Sequence, residues 1–293
     1  MKKETIIAAN DTSSCKPVLV SIIIPCYNHE KYIERTLNSV VADSYPYKEI
    51  IIINDGSSDD SDLRIREWVS AAGQSESVVY FSRPNKGICA TLNEMIDLSH
   101  GKYILPLASD DCLYGDMIAK RVQILEERLD KSVLLNDAFV IDDDDNIIMQ
   151  SSSTDYWKAD KSSYNDDEAI LISCLKAPRI AGPVIFYRKN IFNEIGKYPE
   201  DIQFEDWYFY QRAACKKLIL FVDTKVALYR VHDGNYSGVN TPHALKIAKS
   251  TLKVYQRNFW FYPGIKYKLL GLVCYVRVFA WFIKLKFESK KTG

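Results

Sequence analysis

The chain has 293 residues, 38 basic against 38 acidic side chains, 47% hydrophobic and 12% aromatic residues. That content supports one large folded domain or two small ones and excludes a disordered, collagen-like or disulfide-stapled polypeptide. Seven scattered cysteines include no C-x-x-C pair, so neither a zinc site nor a disulfide framework is signalled, and a reducing compartment fits.

Residues 1–17 open with Met1-Lys2-Lys3 but place Asn10, Asp11 and hydroxyl residues where a secretory leader needs an apolar core. A polar extension on a cytosolic chain is expected. Thereafter continuous apolar runs at 19–26, 49–53, 78–81 and 103–107 read as strands buried on both faces, hence parallel. Between them, 32–41, 61–72 and 88–98 carry apolar residues at helical spacing. This is the βαβ pattern of an α/β protein. A helix at 117–129 and a strand at 133–141 follow, then Asp142-Asp143-Asp144-Asp145-Asn146 before Ile147-Ile148-Met149. Four consecutive acids suit a calcium loop or a solvated hairpin turn, and the turn is the favoured reading. Residues 151–167 lack any period and read as a mobile surface loop. Helices at 168–175 and 206–215, a strand at 184–187, strand pairs within 218–229 and a helix after Pro242 complete the chain.

The neutral total conceals an asymmetry. Residues 245–293 hold eleven Lys/Arg and one acid, Glu288, a net +10 that leaves −10 for the remainder. Such a tail meets an anionic surface. Within it, 269–283 is apolar except chiefly for Arg277, follows Phe259-Trp260-Phe261-Tyr262, and is flanked by Lys266, Lys268, Lys284 and Lys286. It falls short of the roughly 20 residues of a spanning helix, so in-plane attachment to an anionic membrane is expected. A helix packed on the core with solvated lysines is the alternative. Large aliphatic residues in place of polar ones argue against nucleic acid.

In open parallel sheets ligands bind at the carboxyl ends of the strands. These ends read Pro25-Cys26-Tyr27-Asn28, Asn54-Asp55-Gly56-Ser57-Ser58-Asp59, Arg83-Pro84-Asn85-Lys86-Gly87 and Ser109-Asp110-Asp111. No G-x-G-x-x-G follows the first strand and no G-x-x-x-x-G-K-[ST] occurs, which weighs against a dehydrogenase and a P-loop ATPase. The segments SIIIPCYN, IIINDGSSDDS, RPNKGICATLNEMI, GKYILPLASDD, FEDWYFYQRA and YRVHDGNYS, in this order, resemble the family 2 glycosyltransferases from about residue 20 to 237.

The resemblance implies a GT-A fold: a Rossmann-like, mostly parallel sheet flanked by helices, here over residues 18–240, followed by a basic, amphipathic helical tail at 241–293. Residues 18–111 would form the nucleotide-binding half and 112–240 the acceptor half. By resemblance, Pro25 and Tyr27 line the base pocket with Asn28 beside them, and Asp55 accepts a hydrogen bond from base or ribose. Asn85 and Lys86 approach the donor or simply form a turn. Asp110 meets the ribose, while Asp111 holds a divalent cation, Mg²⁺ or Mn²⁺, on the diphosphate. Ala108 stands where many members carry a first aspartate, which makes metal dependence an open point. Asp206 takes the place of the general base, with Glu205 orienting the acceptor, and a single base implies inversion. His232 and Arg230 match positions that in some relatives reach the metal or diphosphate. His29 reads as opening a helix, and Trp207, Tyr208 and Tyr210 either stack on acceptor sugar rings or, as their helical spacing favours, belong to the core.

The implied function is transfer of a sugar, from UDP by preference, to a hydroxyl of a lipid-linked saccharide. It would serve bacterial surface polysaccharide assembly (O-antigen or capsule) on the inner face of the cytoplasmic membrane. A sugar-phosphate nucleotidyltransferase lacks its glycine-rich basic loop here, and an inactive nucleotide-sugar-binding scaffold is supported only by Ala108.

Overall fold

Successive strand side chains point to opposite faces, so an unbroken apolar run needs cover on both. The computed structural model describes residues 18–72, 77–202, 205–232 and 244–289. The N-terminal extension, Gln203, Phe204 and the 233–243 junction between the expected domain and tail lie outside the described residues.

The first half alternates β1 (Val20–Cys26), α1 (Ile33–Ala42), β2 (Lys48–Asn54), α2 (Ser61–Ala72), β3 (Ser77–Ser82), α3 (Ile88–Leu98) and β4 (Tyr103–Pro106). These strands pair in parallel in the order β3-β2-β1-β4. Ile22, Ile24, Ile50 and Ile52 turn to one face, under Leu37 of α1 and Trp68 of α2. Ile23, Ile51, Ile53 and Ile104 turn to the other, under Leu92 and Met95 of α3.

The second half supplies β5 (Cys112–Leu113), α4 (Ile118–Glu127), β6 (Val133–Ile141), β7 (Ile147–Met149), α5 (Asp167–Lys176), β8 (Ile185–Arg188), α6 (Ile191–Ile195), α7 (Glu205–Cys215) and β9 (Ile219–Arg230). It extends the same sheet as β4-β8-β6-β9-β5, with β7 hairpinned on β6. Here β8 runs antiparallel to both neighbours and β9 parallel to β6.

Two expectations need correction. Residues 218–229 do not form strand pairs: β9 is one strand of twelve residues, with two register irregularities opposite Asp137. Residues 151–167 do not form an unstructured loop. Asp137, wholly buried on β6, accepts from the Ser151 hydroxyl at 2.5 Å, the Ser152 hydroxyl at 2.9 Å and the Ser153 N–H at 3.1 Å, and pairs with Lys225. These bonds fold Ser152–Tyr156 into a π-helical turn, and a 3₁₀ turn follows at Lys161–Tyr164. Burial alone would raise the Asp137 carboxyl, but the Lys225 ammonium and the hydrogen bonds from Ser151, Ala138 and Ser153 hold it at about 2.

The chain closes with α8 (Ala244–Asn258) and α9 (Gly264–Ser289). Gly271 lets α9 approach closely, since a Cβ there would stand 2.4 Å from the Tyr262 ring. Gln211 of α7 is fully buried: its Oε1 accepts from Asn258 Nδ2 at 3.0 Å and from the Tyr262 hydroxyl at 2.8 Å. Cys274 is buried in the same core, with Leu270 and Val278 packed against it. The opposite face of α9 leaves Leu269, Leu272, Val273, Val276 and Phe279 about half exposed. Among the described residues no helix is long and apolar enough to cross a membrane.

Candidate active site

Cys26 lies opposite Asn54, so the polar residues that end β1 and β2 meet at one edge of the sheet. Asn28 takes a left-handed φ of 57°, a conformation asparagine tolerates. Its Oδ1 accepts from the Ser58 N–H at 2.8 Å, and its own N–H donates to Ser57 Oγ at 2.9 Å. Asp55 is buried and accepts from the Lys86 and Gly87 N–H groups, each at 2.9 Å, while pairing with the Arg83 guanidinium. A carboxylate has about four acceptor sites, so one remains for a ligand. Gly56, at φ 75°, lets the two loops touch: a Cβ would stand 2.6 Å from the Asn85 backbone nitrogen.

The loops open on a cleft of about 820 Å³ lined by Pro25, Tyr27, Asn28, Asp55, Asn85, Asp110, Glu205 and His232 among others. Eight of the residues singled out from sequence therefore meet there. Lys86 lines the loop only through its backbone, because its side chain is exposed and reaches Glu94 at 3.5 Å. Tyr208 and Tyr210 are buried in the core and the Trp207 Nε1–H donates to the Cys174 carbonyl at 2.6 Å, as their helical spacing implies.

The acidic pair after β4 divides in a way opposite to expectation. Thr36 Oγ1 donates to the Ser109 carbonyl at 3.0 Å and to the Asp111 carbonyl at 2.7 Å, which fixes the turn against α1. Asp111 is directed inward: its Oδ1 accepts the Arg230 N–H at 2.8 Å, and burial, then the neighbouring Asp110 charge, push its carboxyl well above the usual range. Asp110 faces the cleft instead. Its Oδ2 lies 3.2 Å from His232 Nε2 and 3.9 Å from His29 Nε2. Burial would raise this carboxyl, but the His232 hydrogen bond and the His29 charge outweigh it and hold it low.

His29, read from sequence only as opening a helix, is thus a site residue. Its Nδ1 and the Ser109 hydroxyl are 2.7 Å apart, and burial lowers its basicity. Arg230 does not face the cleft. Its wholly buried guanidinium donates to the Asp110 carbonyl at 2.8 Å and the Asp142 carbonyl at 2.7 Å, and pairs with Asp145 at 2.5 Å. The acidic run is a hairpin turn, but one tied to the site rather than merely solvated. Tyr32 donates to Asp143 at 2.6 Å, Lys31 pairs with Asp143 at 3.0 Å, and Arg35 pairs with Asp145.

Glu205 and Asp206 form the first turn of α7, where the helix dipole would favour ionisation. Burial wins: it pushes Asp206 up to about 6, and together with the Asp206 charge it raises Glu205 well above the usual range. Glu205 lines the cleft, and Asp206 follows it in the same helical turn.

Residues 21–232 match the profile described as Glycosyl transferase family 2. An uncharacterised glycosyltransferase of Rickettsia typhi is 28% identical over 223 residues, covering 73% of this chain and 64% of that protein. The matched stretch therefore spans under two thirds of that relative's length. S. aureus TarS 1–349 in complex with UDP-GlcNAc superposes with a TM-score of 0.59 at 19% identity, covering 90% of this chain and 71% of TarS 1–349. The Pyrobaculum calidifontis mannosyltransferase PcManGT in complex with GDP-Man and Mn²⁺ gives 0.64 at 14% identity, with 90% and 70% covered. Both show the same fold.

Proposed function

Because the chain belongs to glycosyl transferase family 2, we propose that it transfers one sugar from a nucleotide-sugar donor to a saccharide hydroxyl with inversion. The observation that carries this reading is one cleft in which the Asp55 loop, the His29–Asp110–His232 cluster and Glu205 face each other. Pro25 and Tyr27 border the base, Asp55 offers its remaining lone pair, Asn28 holds the β1 and β2 loops together, and Asn85 borders the donor. A UDP-sugar is the favoured donor, the class that TarS binds. Asp206 takes the acceptor proton as the hydroxyl attacks the anomeric carbon and the nucleoside diphosphate leaves, and Glu205 orients the sugars beside it.

A divalent cation fits the donor set, since a carboxylate and an imidazole converge at 3.2 Å. Asp110 and His232 would hold it, Mg²⁺ or Mn²⁺. Bound there, it supplies charge neutralisation to the departing diphosphate.

Expected results follow for donor and loop. Across UDP-, GDP-, CDP- and dTDP-sugars, nucleoside diphosphate release should be selective for one donor and lost in EDTA. Pyrophosphate release from a nucleoside triphosphate and sugar phosphate would instead identify a nucleotidyltransferase, and binding without turnover a scaffold. Gly56→Ala should weaken donor binding at least tenfold by calorimetry, because a strained φ costs about 1–3 kcal/mol and the added Cβ pushes Asn85 away. Unchanged affinity would disconnect this loop contact from the donor.

The acceptor is a lipid-linked saccharide in surface polysaccharide assembly, reached from the inner face of the cytoplasmic membrane. Support comes from α9. Its outward apolar residues oppose its core-facing ones, and at 3.6 residues per turn Lys266, Arg277 and Lys284 border one edge, Lys268 and Lys286 the other. An in-plane helix with cations at both edges suits anionic lipid. A second copy would set these cations against their own kind, since Glu288 is the one acid of α9. Leu272→Asp with Val276→Asp should abolish flotation with phosphatidylglycerol vesicles while leaving thermal unfolding unchanged. Retained flotation would end the membrane reading.

A further inference from the structure

Asp110 and His232 account for two donors at the cation position, but a third side chain converges on the same point. A ring nitrogen of His29, a ring nitrogen of His232 and an Asp110 carboxylate oxygen all lie within 4.8 Å of one another. Atoms bonded to one ion at about 2.1 Å stand about 3–4 Å apart, and the measured separations from Asp110, 3.2 and 3.9 Å, fall in that range. The three come from distant parts of the chain: the β1 end, the β4 end and the segment after β9.

The orientation of His29 is fixed from behind. In the tautomer whose Nδ1–H donates to Ser109 Oγ at 2.7 Å, Nε2 presents a lone pair toward the Asp110 carboxylate. Two lone-pair groups facing each other at 3.9 Å repel, and either a proton on His29 or a cation between them relieves the repulsion. An outer hydrogen bond that sets the tautomer and aims the other nitrogen is the arrangement of metal-binding imidazoles. Ser109 is itself buried, and its carbonyl is held by Thr36, so this support is rigid.

We propose that His29 is a third protein ligand of the cation, making a two-histidine, one-carboxylate centre that takes first-row transition ions in preference to Mg²⁺ and binds them before any nucleotide arrives. The inference rests on the reading that this cleft holds a divalent cation. Mg²⁺ favours all-oxygen surroundings and releases its water reluctantly, whereas imidazole nitrogens suit the transition series. Two imidazoles therefore shift the balance away from Mg²⁺ where one leaves it open.

The test uses the full chain without nucleotide. Mn²⁺ titration followed by electron paramagnetic resonance should show a bound ion with hyperfine coupling to two imidazole nitrogens, and Mg²⁺ in hundredfold excess should fail to displace it. His29→Ala should leave one coupled nitrogen and weaken Mn²⁺ binding at least tenfold. Ser109→Ala, which keeps the imidazole but frees its ring, should weaken binding to a lesser degree. One coupled nitrogen in the unaltered protein, equal affinity in His29→Ala, or ready displacement by Mg²⁺ would overturn the role of His29 and leave Asp110 and His232 as the site. Absence of bound Mn²⁺ in every protein, with and without nucleoside diphosphate, would overturn the metal reading itself.

Discussion

Asp206→Asn is expected to lower kcat by about 10²–10⁴-fold, the usual worth of a positioned general base, while donor binding measured by calorimetry stays unchanged. The expectation rests on the titration of Asp206 in the first α7 turn. Burial pushes Asp206 to about 6, and the same burial plus the Asp206 charge raises Glu205 further. Near neutral pH, Asp206 is therefore ionised. A base acts in its ionised form, so kcat should rise about tenfold per pH unit below 6 and level off above it. The Asn variant should lack that limb. Glu205→Gln keeps the shape of a side chain that orients rather than accepts the proton, and should retain activity within about tenfold. The reverse ranking, Glu205→Gln severe and Asp206→Asn mild, would move the base to the residue that lines the cleft.

Arg230→Met is expected to cost about 3–5 kcal/mol of stability in urea unfolding and to impair donor binding as well. The guanidinium is fully enclosed, stacks over Tyr32 at 4.9 Å, and holds the carbonyls of Asp110 and Asp142 with the Asp145 carboxylate. Removing it strips Asp145 of a buried partner and frees the turn that aims Asp110 outward and Asp111 inward. Arg230→Lys should rescue little, because a point charge does not reproduce a planar fork with several acceptors. Stability within 1 kcal/mol of the unaltered protein would reduce Arg230 to a space-filling role.

Much of the sheet was legible because burial on both faces writes itself as uninterrupted apolar runs, as at Ile22 to Ile24 and Ile50 to Ile53. The long strand β9 was obscured by Asp223 and Lys225, whose polarity reads as a turn, while Lys225 in fact answers Asp137. The 151–157 turn was invisible for a related reason: its order comes from Asp137, which no local period reveals. At the cleft, motif register located the loops but not the direction of each side chain. Adjacent acids diverge, and only the Arg230 N–H, 119 positions away in sequence, decides that Asp111 turns in. His29 carried no local signal, since its partners Ser109 and Asp110 sit 80 and 81 residues later in the chain. The apolar content of the tail was plain, but the division of α9 into two opposed faces becomes visible only once α5 and α8 cover one of them.

The amide of Gln211 joins the helix that begins with Glu205 and Asp206 to Asn258 and Tyr262, which lead into α9. Any change of length between Asn258 and Gly264 is therefore transmitted to α7, which opens with Glu205 and Asp206. Deleting residues 241–293 would not leave the remaining domain intact, because it would strip Gln211 of Asn258 and Tyr262 and uncover the underside of α7. Substitutions on the outward face of α9 are the ones that test the proposed membrane contact without disturbing this packing. Exchange of tails between relatives would succeed only where the residue at position 211 and the Asn258–Tyr262 segment travel with them.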